Sequence, residues 1–162
     1  MRALAIWQMK ALVTVGSTQF PELVDAVLEK EFLEALSKNG YTRLIVQHGS
    51  YSPTLEEAPA NLIIECFPYT SDLTTFMKDS DLIIAHGGAG TAVEALRMHK
   101  RLVMVPNQKL LDNHQLELAK KLHQEGHCEL CMNPIELSKL IFLRTSYKPL
   151  PPCDVNAIKS IF

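Results

Sequence analysis

At 162 residues the chain is long enough for one domain with a real core, and 47% hydrophobic against 21% charged residues is the balance of an ordinary globular protein. A net charge of -2 leaves no broad basic footprint for nucleic acid, although it permits a local basic pocket for a phosphate. No apolar run approaches the ~20 residues that span a bilayer, and the opening MRALAIWQMKALVTVGS lacks a signal-peptide cleavage site, so the protein is expected inside the cell with any membrane contact peripheral or through a partner.

Residues 1–8 read as an extension ahead of a second possible start at Met9. ALVTVG (11–16) then reads as a buried strand ending on a glycine. Residues 21–40 read as one helix: Pro21 suits a first turn, Leu23, Val24, Val27, Leu28, Phe32 and Leu36 fall at helical spacing, and Asn39-Gly40 supplies a stop. RLIVQ (43–47) is a second strand, residues 48–60 a loop rich in turn formers, and NLIIECF (61–67) a third strand. Residues 71–80 make a short helix started by Ser71 or Asp72, and DLIIA (81–85) a fourth strand. The stretch HGGAGT follows and enters a helix over 89–99. RLVMVP (101–106) is a fifth strand, 112–126 a helix closed by glycine, CELC (128–131) a candidate sixth strand and 133–143 a last helix.

Short apolar runs alternating with amphipathic helices predict an α/β domain over residues 9–146: a Rossmann-like parallel sheet with helices on both faces. A tail (147–162) follows, proline-rich at first and ending in an amphipathic piece (155–162) that carries Ile158, Ile161 and Phe162. No internal repeat and no second domain is evident.

Four cysteines occur, Cys66, Cys128, Cys131 and Cys153. The CELC pair has zinc-like spacing with His123 and His127 just upstream, but no matching second ligand pair accompanies it, so free thiols on a short strand are expected and no metal. His48 and His99, like His123 and His127, read as surface or packing residues.

In an open parallel sheet, ligands bind beyond the carboxyl ends of the strands. Four segments fall on that rim: GSTQF after the first strand, FPYTSD after the third, HGGAGT after the fourth and PNQKLLDNHQ after the fifth. A helix start offers free amides and a positive dipole end to an anion. Gly87, Gly88 and Gly90 remove side chains that would hold an anion away, Ala89 sits between them, Thr91 adds a hydroxyl, and His86 can donate to a phosphate oxygen. The GK[ST] of a P-loop is missing, and the glycine spacing misses the dinucleotide fingerprint.

Glu94, one turn into the helix, suits the two hydroxyls of a ribose, yet Thr91-x-x-Glu94 is also a capping box. Asp112 with Gln115 is a capping pair, while Asn113, His114 and Gln115 also form a hydrogen-bonding group suited to a sugar. Gly16, Ser17 and Thr18 can present donors to the same ligand or form a simple turn. Phe67-Pro68-Tyr69 can flank a base or merely pack.

Together these segments, above all residues 86–126, resemble the donor-binding domain of GT-B nucleotide-sugar glycosyltransferases of the MurG-like group. LVTVGSTQFPELV and DNHQLELAKKLHQEGH narrow the resemblance to the small cytosolic subunits of eukaryotic UDP-N-acetylglucosamine transferases of asparagine-linked glycosylation; it covers residues 9–131 and weakens after Asn133. The resemblance implies a single half of a GT-B enzyme that moves GlcNAc from UDP-GlcNAc to N-acetylglucosaminyl-diphosphodolichol by inverting transfer. It implies no cofactor and no bound metal. It also implies a heterodimer with a membrane-anchored acceptor-binding subunit at the cytosolic face of the endoplasmic reticulum, with residues 155–162 as a docking segment. His86 and the backbone of Gly87, Gly88, Ala89, Gly90 and Thr91 would hold the diphosphate, Glu94 the ribose, and Asn113, His114 and Gln115 the sugar. Gly16, Ser17 and Thr18 would line the cleft floor and Phe67 would lie by the uracil. It leaves the general base unassigned. The alternatives are a non-catalytic nucleotide-sugar-binding module and a fragment of a stand-alone transferase or epimerase.

Overall fold

The computed structural model describes residues 8–110, 114–143 and 146–151, so Asp112, Asn113, Cys153 and the candidate docking segment 155–162 lie outside the described residues. Among the described residues six strands form one wholly parallel sheet. They are β1 (Met9–Thr14), β2 (Tyr41–Gln47), β3 (Ile63–Phe67), β4 (Leu82–Ala85), β5 (Arg101–Met104) and β6 (Glu129–Leu130), in the spatial order β3-β2-β1-β4-β5-β6. The order reverses between β1 and β4, where Leu12 pairs with Ile83 and Thr14 with Ala85. Such a reversal opens a crevice at the carboxyl ends of the two strands, because their following loops run to opposite faces.

The period of two along each strand divides the core. Ala11, Val13, Val15, Leu82, Ile84, Val103 and Val105 face one layer, packed against α1 (Pro21–Leu28), α2 (Lys30–Lys38) and α6 (Leu137–Ile141). Leu12, Ile83, Ala85, Leu102 and Met104 face the other, against α3 (Leu73–Lys78), α4 (Ala89–Arg97) and α5 (His114–Gln124). Both faces are covered, which is why the strands read as continuous apolar runs. Truncating a fully buried residue of these layers, such as Leu36 or Ile84, costs about 2–5 kcal/mol.

Several elements depart from the expected bounds. The single helix expected over 21–40 is two, because Glu29 turns to an extended conformation (φ -68°, ψ 147°). The Lys30 amide, an orphan of the new helix start, donates to Glu56 Oε2 at 3.2 Å, so a carboxylate from the distant 48–60 loop supports the break. The helix expected over 133–143 opens instead as a 3-10 turn (Pro134–Glu136) before the five-residue α6. Asn133 fixes that turn by accepting the Ile135 amide at 3.2 Å. The sixth strand keeps only Glu129 and Leu130, paired with β5. The start of α3 lies at Asp72, whose side chain accepts the Thr75 amide.

Candidate functional site

The carboxyl ends of β1 and β4 bring Gly16 and His86 together. Gly16 has φ +64°, and a β-carbon on it would stand 2.6 Å from Cε1 of His86. Gly88 also lies against the ring, its own added β-carbon 3.0 Å from the same atom. The imidazole is therefore in contact with two backbone segments that only glycine permits so close. The His86 amide donates to the Thr14 carbonyl at 3.3 Å, and its Nδ1 is buried with no partner. At 6% exposure, desolvation pulls its pKa below the usual histidine value, with the Thr14 backbone bond opposing. At neutral pH the ring is a neutral donor and acceptor.

Gly87 turns the chain at φ +102°, and its added β-carbon would meet Cβ of Gln115 at 3.2 Å. Gln115 thus reaches from α5 to the turn, and its Oε1 is a second buried polar atom without a partner. Two buried polar groups without a protein partner among the described residues thus lie beside one glycine turn, where a bound group could satisfy them.

The turn leads into α4, whose N-cap is Gly88, with no side-chain cap and no acidic residue in the first turn. The first helical bond runs from the Ala92 amide to the Gly88 carbonyl at 3.1 Å, so the preceding amides of Ala89, Gly90 and Thr91 have no intrahelical acceptor. A β-carbon added at Gly90 would meet nothing within 4 Å, so the helix start faces open space. A nine-residue helix presenting bare amides at its positive end, at the topological switch point, has the chemistry to accept an anion.

Thr91 lies inside α4 rather than at its cap, which removes the capping-box alternative for Glu94. The Glu94 carboxylate instead accepts the Thr74 hydroxyl at 2.6 Å and leaves its remaining lone pairs for a further donor. Ser17 is exposed beside the crevice. Thr18 is engaged in the turn itself, its hydroxyl donating to the Val15 carbonyl at 2.9 Å. Phe67 packs on Phe76 with ring centroids 4.9 Å apart. The carbonyls of Phe67 and Pro68 already accept the amides of His48 and Gly49, so a base edge would have to use other groups. His114 is largely exposed, 3.7 Å from Glu117. Asn113 lies outside the described residues.

Two polar residues not singled out in the sequence support the rim. Gln47, the last residue of β2, ties the ends of β1 and β3 together. Asn107, 7% exposed after β5, donates to the Gln19 carbonyl at 3.2 Å and accepts the Lys109 amide at 3.1 Å, locking the rim segment after β5 to the one after β1. Each is a single polar residue beside an apolar run, a weak signal for a buried polar clamp.

Elsewhere, Cys128 and Cys131 are buried, their thiols pushed up to about 12 and about 11 by desolvation. His123 and His127 place Nδ1 against the carbonyls of Cys128 and Lys148, at 2.9 Å and 2.8 Å. Among the described residues no helix is long and apolar enough to cross a membrane.

Comparison with known proteins matches residues 10–145 to the glycosyltransferase family 28 C-terminal domain. The chain is 38% identical over 149 residues to the UDP-N-acetylglucosamine transferase subunit ALG13 of Mus musculus, covering 87% of this chain and 13% of that protein. It is 31% identical over 186 residues to the subunit of the same name from Saccharomyces cerevisiae, covering 91% and 92%. It thus spans about an eighth of the mouse relative and nearly all of the yeast one. In solved structures it is similar to an NMR structure of ALG13 (TM-score 0.68, 22% identity, 95% of this chain and 94% of that one), a likeness of fold. It is also similar to MurG of Acinetobacter baumannii (TM-score 0.63, 28% identity), covering 84% of this chain and 41% of that one.

Proposed function

The chain belongs to the glycosyltransferase family 28 C-terminal domain family, and from that premise we propose that it is the donor-binding, catalytic subunit of a two-chain N-acetylglucosaminyltransferase. The donor is UDP-GlcNAc, in keeping with the name of its relatives. The acceptor is N-acetylglucosaminyl-diphosphodolichol, presented by a membrane-anchored partner at the cytosolic face of the endoplasmic reticulum. The fold matches 41% of the MurG chain, which supports reading residues 10–145 as the donor-binding part of such an enzyme.

The observation that carries this reading is the uncapped start of α4 at the β1–β4 switch point, with the orphaned His86 Nδ1 beside it. The diphosphate lies on the amides of Ala89, Gly90 and Thr91, with neutral His86 donating to a phosphate oxygen. Glu94 takes the ribose hydroxyls, and Gln115 and His114 bind the sugar. The acceptor hydroxyl attacks the anomeric carbon as the bond to the UDP oxygen breaks, inverting the configuration. Charge grows on the leaving diphosphate, and the preorganised amides stabilise it there more than in the ground state. The proton of the hydroxyl passes to a base on the partner half. The reaction uses no metal, the helix dipole standing where a cation would.

Transfer of labelled GlcNAc to a lipid acceptor, by the chain alone and with its membrane partner, tests this. Activity only in the two-chain sample is expected; binding of UDP-GlcNAc without transfer in either sample would favour a non-catalytic binding subunit.

A further inference from the structure

Gln47 is 3% exposed at the end of β2, and its amide is fully engaged. Oε1 accepts the Thr14 hydroxyl at 2.6 Å and the amides of Gly16 and Val15 at 3.0 and 3.2 Å. Nε2 donates to the carbonyls of Gly16 and Pro68 at 3.0 and 2.8 Å. One side chain therefore binds the carboxyl ends of β1 and β3 at once and grips Gly16 on both its amide and its carbonyl. Gly16 is the residue whose backbone stands against the His86 ring. The same ring also meets Gly88, the cap of α4. A continuous line of contact runs from the Gln47 amide through the Gly16 turn to the imidazole and on to the anion cradle.

The geometry points to Gln47 as a positioning residue for the donor site: by fixing the Gly16 turn it sets the His86 ring over the start of α4 and keeps water from it. This rests on the donor-site reading above, but the two fail separately. The turn has no other side-chain clamp among the described hydrogen bonds to Gly16 save the Thr14 hydroxyl, itself held by Gln47. Without the amide, the Gly16 carbonyl and amide are left to water, which then shares the crevice with His86. The causes acting on His86 are burial and the Thr14 backbone, with no charged neighbour contributing, so the ring's titration reports its hydration directly.

The test uses the full chain and three variants. Gln47→Met keeps the side-chain length and removes the polar atoms. Thr14→Val, a milder change, removes one donor to Oε1 and one acceptor for Gly16. Leu36→Ala, in a fully buried position of α2, serves as a control that lowers Tm without touching the rim. His86 is titrated by proton–nitrogen NMR of its imidazole, and uridine diphosphate is titrated calorimetrically into each protein. Gln47→Met is expected to raise the His86 pKa by about half a unit or more, toward the unperturbed value, as the ring is rehydrated. Its uridine diphosphate affinity is expected to fall about tenfold, the loss of one well-placed hydrogen-bonding group. Thr14→Val moves both in the same direction by less, and Leu36→Ala moves neither. A Gln47→Met protein that loses Tm like Leu36→Ala while His86 titrates as in the wild type overturns the proposal. If Gln47→Met does not fold, Thr14→Val decides on the same terms. Wild-type protein that binds no uridine diphosphate would remove the donor-site reading, and the His86 titration would still judge Gln47.

Discussion

The His86 ring and the Gly16 backbone are in direct contact: a β-carbon on residue 16 would lie 2.6 Å from Cε1 and 3.1 Å from Nε2 of the imidazole. Gly16→Ala must therefore push the ring out of place and also force a side chain into φ +64°. We expect a loss of about 1–3 kcal/mol in urea unfolding, with weakened uridine diphosphate binding. Gly126→Ala is the matched control. It has the same backbone conflict (φ +82°), but the nearest atom to its added β-carbon is Cδ of Lys148 at 3.6 Å. It should lose stability and keep binding. Equal loss of binding in both variants would show that His86 placement is irrelevant.

Replacing Glu94 separates a ligand contact from a structural one. Its carboxylate accepts from Thr74 across to α3 and caps no helix. Glu94→Gln keeps an acceptor for that hydroxyl, so its unfolding free energy should stay within about 0.5 kcal/mol of wild type. Its affinity for uridine diphosphate should fall about tenfold through the ribose. Unchanged affinity with a larger stability loss would return Glu94 to a packing role.

The His86 pKa lies below the histidine value of 6.5 because burial disfavours the cation. The unfolded chain therefore binds a proton more readily than the folded one. The contribution of this residue is fully present above about pH 6.5 and is lost as pH falls through that value to the lower folded pKa. The difference in unfolding free energy between wild type and His86→Asn should shift against the wild type as pH falls from about 7.5 to 5. A difference flat across that range would mean that the ring is as hydrated folded as unfolded.

Cys128 and Cys131 should be inert in the folded protein. With thiols pushed up to about 12 and about 11, almost no thiolate exists at neutral pH, and both side chains are buried. Iodoacetamide followed by site-resolved mass spectrometry should label both much more slowly in buffer than in urea. Fast labelling of either in buffer would contradict the buried strand geometry.

The parallel sheet was legible because its central strands are buried on both faces. Runs such as DLIIA and RLVMVP leave no polar side to confuse the reading. The break at Glu29 was not, since no glycine or proline marks it and the group that supports it, Glu56, comes from a loop 26 residues away. The last helix misled for a similar reason: its apolar spacing is helical, but Pro134 and the Asn133 cap favour a tight first turn. At the site, HGGAGT announced itself because glycines are dear in a helix start and need a reason. Glu94 was ambiguous in sequence because the cap position decides between box and ligand, and a one-turn shift to Gly88 settles the box. Gln47 was invisible: a single glutamine after an apolar run looks like a strand end, and only the fold brings its partners, Thr14 and Pro68, around it.

The central claim is that an anionic nucleotide rests on the bare amides at the start of α4. Backbone NMR of the full chain titrated with uridine diphosphate tests it most directly. We predict saturable shifts concentrated at Ala89, Gly90 and Thr91, with His86 and Gly16 following. Amides at these positions that stay fixed while the nucleotide shifts others, such as those around the basal cavity of Tyr41, Asp81 and Arg101, would contradict it.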